Sequence, residues 1–171
     1  MNNFMKDNNW QLQIREKLLK PFYTKRAYEG RFIFADKGRL ADILQKEMDV
    51  DTVIQKKDNS ILAIEEKIVR YPGYKYTSYT LELMSCTVKG REREGWMYYS
   101  RCDVLLYCFV QEDGSIEAHA IPFPPLQEWF MDNYKNYKST ITKQINHTEC
   151  KLVPIADVFA NIEGCKVIHL K

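Results

Sequence analysis

Hydrophobic spacing changes character twice along this chain. Trp10, Ile14, Leu18 and Leu19 recur near helical spacing. Asn8 stands ahead of them as an N-cap and Pro21 behind them as a stop, which predicts a helix over about 10–20. Residues 1–8 are polar and are expected to fray. Arg31-Phe32-Ile33-Phe34 suits a short strand, and Leu40, Ile43 and Leu44 suit a helix over about 40–47. From Asp49 to Gln55 the chain turns β-branched, and it does so again from Ile61 to Arg70. Lys56-Lys57-Asp58-Asn59-Ser60 between them is turn chemistry, so an antiparallel hairpin is expected.

Tyr71-Pro72-Gly73 ends that hairpin, Tyr79 to Cys86 reads as a third strand, and Lys89 to Glu94 as a charged loop. Asp103 to Val110 is apolar nearly throughout, as a central strand covered on both faces would be. Glu112-Asp113-Gly114-Ser115 turns the chain into a returning strand over 116–121. Pro124-Pro125 opens a helix carrying Leu126, Phe130 and Tyr134 to about Tyr137. From Cys150 to Leu170 a strand, a short helical turn near 155–159 and a last short strand follow. This order predicts a mixed α/β (α+β) fold with one mixed sheet flanked by helices.

Length fits this pattern: 171 residues suit one domain over 1–171 with a real core. No apolar run approaches the ~20 residues of a membrane span, and the first seven residues hold no secretory signal. Five Cys, an odd number, point to a reducing compartment and a cytoplasmic protein. Charge is nearly balanced, 25 Lys and Arg against 23 Asp and Glu, so any basic binding face must be local.

Chemistry concentrates between Asp51 and Lys67. Strand side chains alternate faces, so Glu65 and Lys67 point one way and Glu66 the other. Asp51, on the preceding strand of the hairpin, comes alongside Glu65. The two carboxylates with a main-chain carbonyl, most simply that of Glu66, make a hard oxygen site suited to Mg²⁺, with Mn²⁺ able to substitute. A metal there acidifies water and polarises a phosphoryl oxygen, as phosphodiester hydrolysis requires. Lys67 is expected to hold the attacking water or the phosphate. Placed between the metal and a desolvated strand, its ammonium can have a depressed pKa and could also take the proton.

At these residues the chain resembles the PD-(D/E)XK nuclease superfamily. The resemblance rests on Val50-Asp51, thirteen intervening residues, then Glu65-Glu66-Lys67 after Leu62-Ala63-Ile64, as in resolvase-type and phage-borne members. It covers about residues 10–125, taking in Gly95-Trp96 through Val110. It implies a restriction-endonuclease-like three-layer core. It also implies a Mg²⁺-dependent endonuclease acting on DNA, with Asp51, Glu65 and Lys67 catalytic and Asp51, Glu65 and the Glu66 carbonyl on the metal. The acid such proteins often place on the first helix is not marked. Glu16 is the first choice, Glu29 and Glu47 are others, and Glu82 is an extra acid on the third strand. Asp49 shares a face with Asp51 and stands as the alternative ligand.

Arg70, Lys75 and the tyrosines between them mix cations and rings as nucleic-acid grooves do, and Lys89, Arg91 and Arg93 could extend that face. RNA remains open as a substrate. His147/Cys150 and Cys165/His169 have a spacing that could suit zinc. His119 and Cys86, Cys102 and Cys108 read as structural. The face of Trp129 and Phe130 reads as core, with a homodimer seam as the other option. The rival to an enzyme is a non-catalytic nucleic-acid-binding or accessory protein on the same fold.

Overall fold

The computed structural model describes residues 3–26, 31–34, 43–44, 48–70, 76–142 and 146–171. Its centre is the pair of most apolar strands, β3 (Ile61–Val69) and β6 (Val104–Val110), which lie parallel with Glu65 opposite Leu105 and Lys67 opposite Tyr107. Around them β1 (Arg31–Phe34), β2 (Thr52–Gln55), β7 (Ile116–Pro122) and β10 (Lys166–Leu170) complete a six-stranded sheet in the order β1-β2-β3-β6-β7-β10. The β2–β3 hairpin closes with the Lys56 N–H on the Ser60 carbonyl, and Asn59 takes φ 65° there. Asn is one of the few side chains that tolerate that region. The β6–β7 hairpin is held by its Gln111–Ser115 turn. The sheet is mixed, as expected: among the described strands β3 and β6 are parallel and the other neighbours antiparallel.

One expectation needs correcting. The sequence pattern suggested one sheet with helices on both sides. Instead the expected third strand, β4 (Ser78–Cys86), leaves the central sheet for a second, four-stranded one. Its neighbours are β5 (Arg93–Glu94), β9 (Glu149–Pro154) and β8 (Lys138–Ile141), in the order β5-β4-β9-β8. Burial explains the departure. Tyr79 and Leu81 are fully buried, as is Val153 of β9, and all three pack on Leu105, Tyr107 and Phe109 of β6. Short helices complete that side: α3 (Trp96–Tyr99), α4 (Phe123–Asn133) and α5 (Ile155–Asn161). Phe130 is fully buried and Trp129 packs against the same cluster, so that face of α4 is core. Each such buried apolar side chain contributes roughly 1.5–3 kcal/mol.

The opposite face of the central sheet is covered by the N-terminal helix. It starts at Asn3 rather than near Trp10 and passes Pro21: α1 (Asn3–Ile14), a π-helical turn (Arg15–Leu19), then α2 (Lys20–Arg26). Proline lacks the N–H an α-helix interior needs. The wide turn just ahead of Pro21, closed by the Lys20 N–H on the Arg15 carbonyl, is where the ladder changes step. Leu19 and Tyr23 then bury themselves on Ile54, Ile64, Leu106 and Cys108. Of the helix expected over 40–47, only residues 43–44 are described. Among the described residues no helix is long and apolar enough to cross a membrane.

Candidate metal centre

β2 is shorter than β3, and this difference makes the site. Pairing of the two strands starts at Thr52 opposite Ile64, so beyond Ile64 the β2-side edge of β3 is open. Asp51 sits at that step. Its N–H donates to the Ile64 carbonyl at 3.0 Å, and its Oδ2 accepts the Glu66 N–H at 3.0 Å. The two main-chain groups of a strand residue point to the same edge, so the Glu66 carbonyl faces the same opening.

The two neighbouring glutamates part to opposite faces, as the period-two pattern requires. Glu65 is buried on the side of the second sheet, and its Oε1 accepts from Lys67 Nζ at 2.6 Å. Lys67 Nζ also lies 4.7 Å from the centre of the Trp96 ring and 4.0 Å from Asp49 Oδ2. Glu66 is buried on the helix side. Its Oε1 accepts from Tyr23 OH and Thr52 Oγ1, each at 2.8 Å, and its Oε2 accepts from Arg15 Nε at 2.6 Å. The same guanidinium reaches Asp51, with Nη2 2.8 Å from Oδ1. These side chains open on a cleft of about 570 Å³. Gln11, Leu12 and Arg15 form one wall, Asp51, Glu65 and Lys67 the middle, and Thr80 and Tyr107 lie beyond. There Tyr107 OH and Thr80 Oγ1 are hydrogen-bonded at 2.8 Å.

The electrostatics are strained toward too much negative charge. Among the described residues the cations facing Asp49, Asp51, Glu65 and Glu66 are Arg15 and Lys67. Burial pushes the Glu65 carboxyl well above the ordinary range. Lys67 pulls it back in part, and Asp51 and Asp49 push it further. Burial likewise raises Asp49, Glu66 and Glu82. Burial opposes the charge of Lys67 too, but Glu65 and Asp49 outweigh it and its pKa rises. The expectation of a depressed lysine concerned the site with its metal in place; without metal, Lys67 is an ammonium.

Asp51, Glu65 and Lys67 therefore meet in one cleft. Asp49 lies beside them with the left-handed φ of 51°, and its buried Oδ2 has no hydrogen-bond partner among the described residues. Glu82 is half-buried on the same side, accepting the main-chain N–H of Trp96 and feeling Lys67. Glu16 is not part of the site. It is exposed and pairs with Lys20 on the outside of the helix, while its neighbour Arg15 faces inward. Arg15 was not foreseen. Its signal was a cation four residues before Leu19 and eight before Tyr23, on the helix stripe that packs down. Tyr23 and Thr52 carried no such signal.

Arg70 stacks over the Trp10 ring at 4.4 Å, one residue past the cleft-lining Val69. Lys89, Arg91 and Arg93 are exposed and do not line the cleft. They follow Cys86, six residues along β4 from Thr80 and roughly 20 Å away at strand rise. Lys75, Glu29 and Glu47 lie outside the described residues. The two zinc pairs do not come together: Cys150 is in β9, Cys165 precedes β10, and among the described residues no group of three or more His, Cys, Asp or Glu side chains is placed to hold a metal ion. Burial pushes the Cys150 thiol up to about 11. His119 is buried between Tyr79 OH at 2.6 Å and Glu117 at 3.0 Å, a structural bridge.

Comparison with protein-family models, with curated proteins and with solved structures returns no match. The chemistry of the cleft therefore stands on its own geometry. Among the described residues no group of three or more His, Cys, Asp or Glu side chains is placed to hold a metal ion. A Mg²⁺ ion does not require such a group, since it keeps several waters and takes one or two carboxylates. The Asp49 oxygen that has no hydrogen bond among the described residues, the surplus of carboxylates and the Glu66 carbonyl at the open edge fit a hydrated divalent cation at Asp51 and Glu65.

Proposed function

We propose that the chain is a metal-dependent nuclease of the PD-(D/E)XK kind, hydrolysing phosphodiester bonds in DNA. One observation carries the reading. Asp51, one residue before β2, and Glu65 and Lys67 of β3 open on a single cleft in which, among the described residues, carboxylates outnumber cations. Asp51, Glu65 and the Glu66 carbonyl would hold Mg²⁺ or Mn²⁺. When bound, the ion supplies acidified water and charge stabilisation at the phosphoryl oxygens.

The chain's own groups do the rest. The Glu66 N–H and Arg15 fix both oxygens of Asp51. Lys67, tethered by Glu65 and braced on Trp96, presents its ammonium to the phosphate or to the attacking water. Glu82 holds the Trp96 N–H and so the wall behind Lys67. The Thr80–Tyr107 pair offers hydroxyls further along the cleft.

A second reading, a non-catalytic nucleic-acid-binding protein on the same fold, draws support from one contact. Arg15 already neutralises Asp51, as in a site that has lost its metal. One experiment separates the two. Labelled duplex, branched and single-stranded DNA, with RNA counterparts, is incubated with Mg²⁺, Mn²⁺ or EDTA. Cleavage that needs metal and falls at least about a hundredfold in Glu65→Gln and Lys67→Ala supports the nuclease. Binding without cleavage, indifferent to EDTA, supports the second reading.

A further inference from the structure

Arg15 makes the contact that separates those two readings. Its side chain is only 14% exposed, with Nε on Glu66 and Nη2 on Asp51. Glu66 is completely buried at its side chain and is locked by Tyr23 and Thr52, so it cannot swing into the cleft. It therefore pins the guanidinium from behind. Asp51 is the partner that faces the cleft, held by Arg15 on one oxygen and by the Glu66 N–H on the other.

We infer that Arg15 is the resident counter-cation of this site, anchored by Glu66, and that a divalent cation must bind Asp51 in competition with it. The inference rests on the metal site proposed above, and it adds a control on that site. Arg15 keeps Asp51 oriented while no metal is present. A dication next to the same carboxylate then meets a fixed like charge, which sets a ceiling on its affinity. Glu66 lowers that ceiling's cost by sharing the charge of Arg15. The two side chains are thus a positioning pair with opposite effects on metal binding. Removing Glu66's charge gives all of Arg15 to Asp51. Removing both charges frees Asp51.

A merely structural role predicts that every substitution here loosens metal binding. The competing-cation role predicts opposite signs, and that is the test. Mn²⁺ binding is measured by titration calorimetry for the parent, Glu66→Gln and the double variant Arg15→Gln/Glu66→Gln, with circular dichroism as the check on folding. Both variants keep polar atoms for Tyr23 and Thr52, and the double variant leaves no buried Glu66 charge unpaired. Glu66→Gln should weaken Mn²⁺ at least about threefold, and the double variant should bind at least about tenfold tighter than the parent. Shifts in the same direction, or no shift in either variant, overturn the inference while leaving the metal site standing. If the parent takes up no Mn²⁺ but the double variant does, the metal-dependent reading of the parent fails and the inference holds. If neither takes it up, Arg15 is not what governs the site and the inference is overturned.

Discussion

Glu65 and Glu66 are adjacent and identical, yet the structure gives them opposite energetic roles. Glu66→Ala removes the acceptor for Arg15 Nε, Tyr23 OH and Thr52 Oγ1. Breaking a buried ion pair costs about 3–5 kcal/mol. Arg15 keeps Asp51, which reduces that figure, but two buried hydroxyls lose their partner at about 1–3 kcal/mol each. These losses share one network and do not add, so a total of about 4 kcal/mol is expected, a large part of the 5–15 kcal/mol typical of a domain. At about 2–4 °C per kcal/mol for a chain of this size, the melting temperature should fall by about 8–16 °C. Glu65→Gln should behave differently. Its carboxyl is buried beside Asp51 and Asp49, so losing its charge offsets losing its bond to Lys67. The net change should stay within about 1 kcal/mol. Urea unfolding of the two metal-free variants at pH 7, followed by circular dichroism, gives both numbers. A Glu66→Ala loss below about 1.5 kcal/mol, or one no larger than that of Glu65→Gln, would refute the account of the network.

Three further outcomes follow from the same contacts. Glu65 holds its proton more tightly folded than unfolded, so its contribution is fully present below the ordinary carboxylate range and is lost as pH rises through its raised native value. The stability of Glu65→Gln relative to the metal-free parent should therefore increase from about pH 4 toward neutrality, and a flat or falling difference in urea midpoints would contradict this. Gly95→Ala would place its Cβ 2.5 Å from the Glu82 carbonyl oxygen, so the wall carrying Trp96 must shift. A loss of about 1–3 kcal/mol in thermal unfolding is expected, and a neutral result would show that the approach is not tight. Neutralising Lys89, Arg91 and Arg93 should leave the slope of log affinity against log salt unchanged for an oligonucleotide just long enough to fill the cleft. A loss of about 0.9 per residue would bring that loop into the path of duplex DNA.

Local information was well written in the chain and long-range information was not. The β2–β3 hairpin was legible because its β-branched runs flank a five-residue turn. The central place of β6 was legible because a strand buried on both faces cannot alternate. The ends of both strands were within a few residues of their observed positions. Strand parity also placed Glu65 and Lys67 on one face. By contrast, β4 looked like any next strand. Its removal to a second sheet depends on β9, whose Val153 pairs with Tyr79 across the chain, and no local pattern announces such a partner. Pro21 was read as a stop because proline ends most helices, but a π-helical turn absorbed it. That turn also brought Arg15 inward in place of the acid expected from Glu16. The left-handed backbone of Asp49 was equally invisible, since aspartate adopts it without any mark in the sequence.

The wide turn at Arg15–Leu19 has a consequence for how this chain tolerates length changes. A π-turn holds one residue more than the α-turn it replaces, so it works as a gear step inside an otherwise continuous rod. Downstream of it, Leu19 and Tyr23 mesh with the sheet. Upstream, Gln11 and Leu12 face the cleft. An α-helix turns about 100° per residue. Deleting a single residue within the turn would let it relax to ordinary helix with both halves kept in phase, whereas a deletion in the α-helical stretch between Leu12 and the turn would rotate the part before it by about that angle relative to the anchored half. Trp10 would then lose its packing on the core. Gln11 and Leu12 would leave the cleft wall, and Trp10 would leave Arg70. Insertions of one residue should be worse tolerated than their small size suggests, for the same reason. The cleft wall is therefore phased by a count of residues in a helix, independently of the side chains that line it.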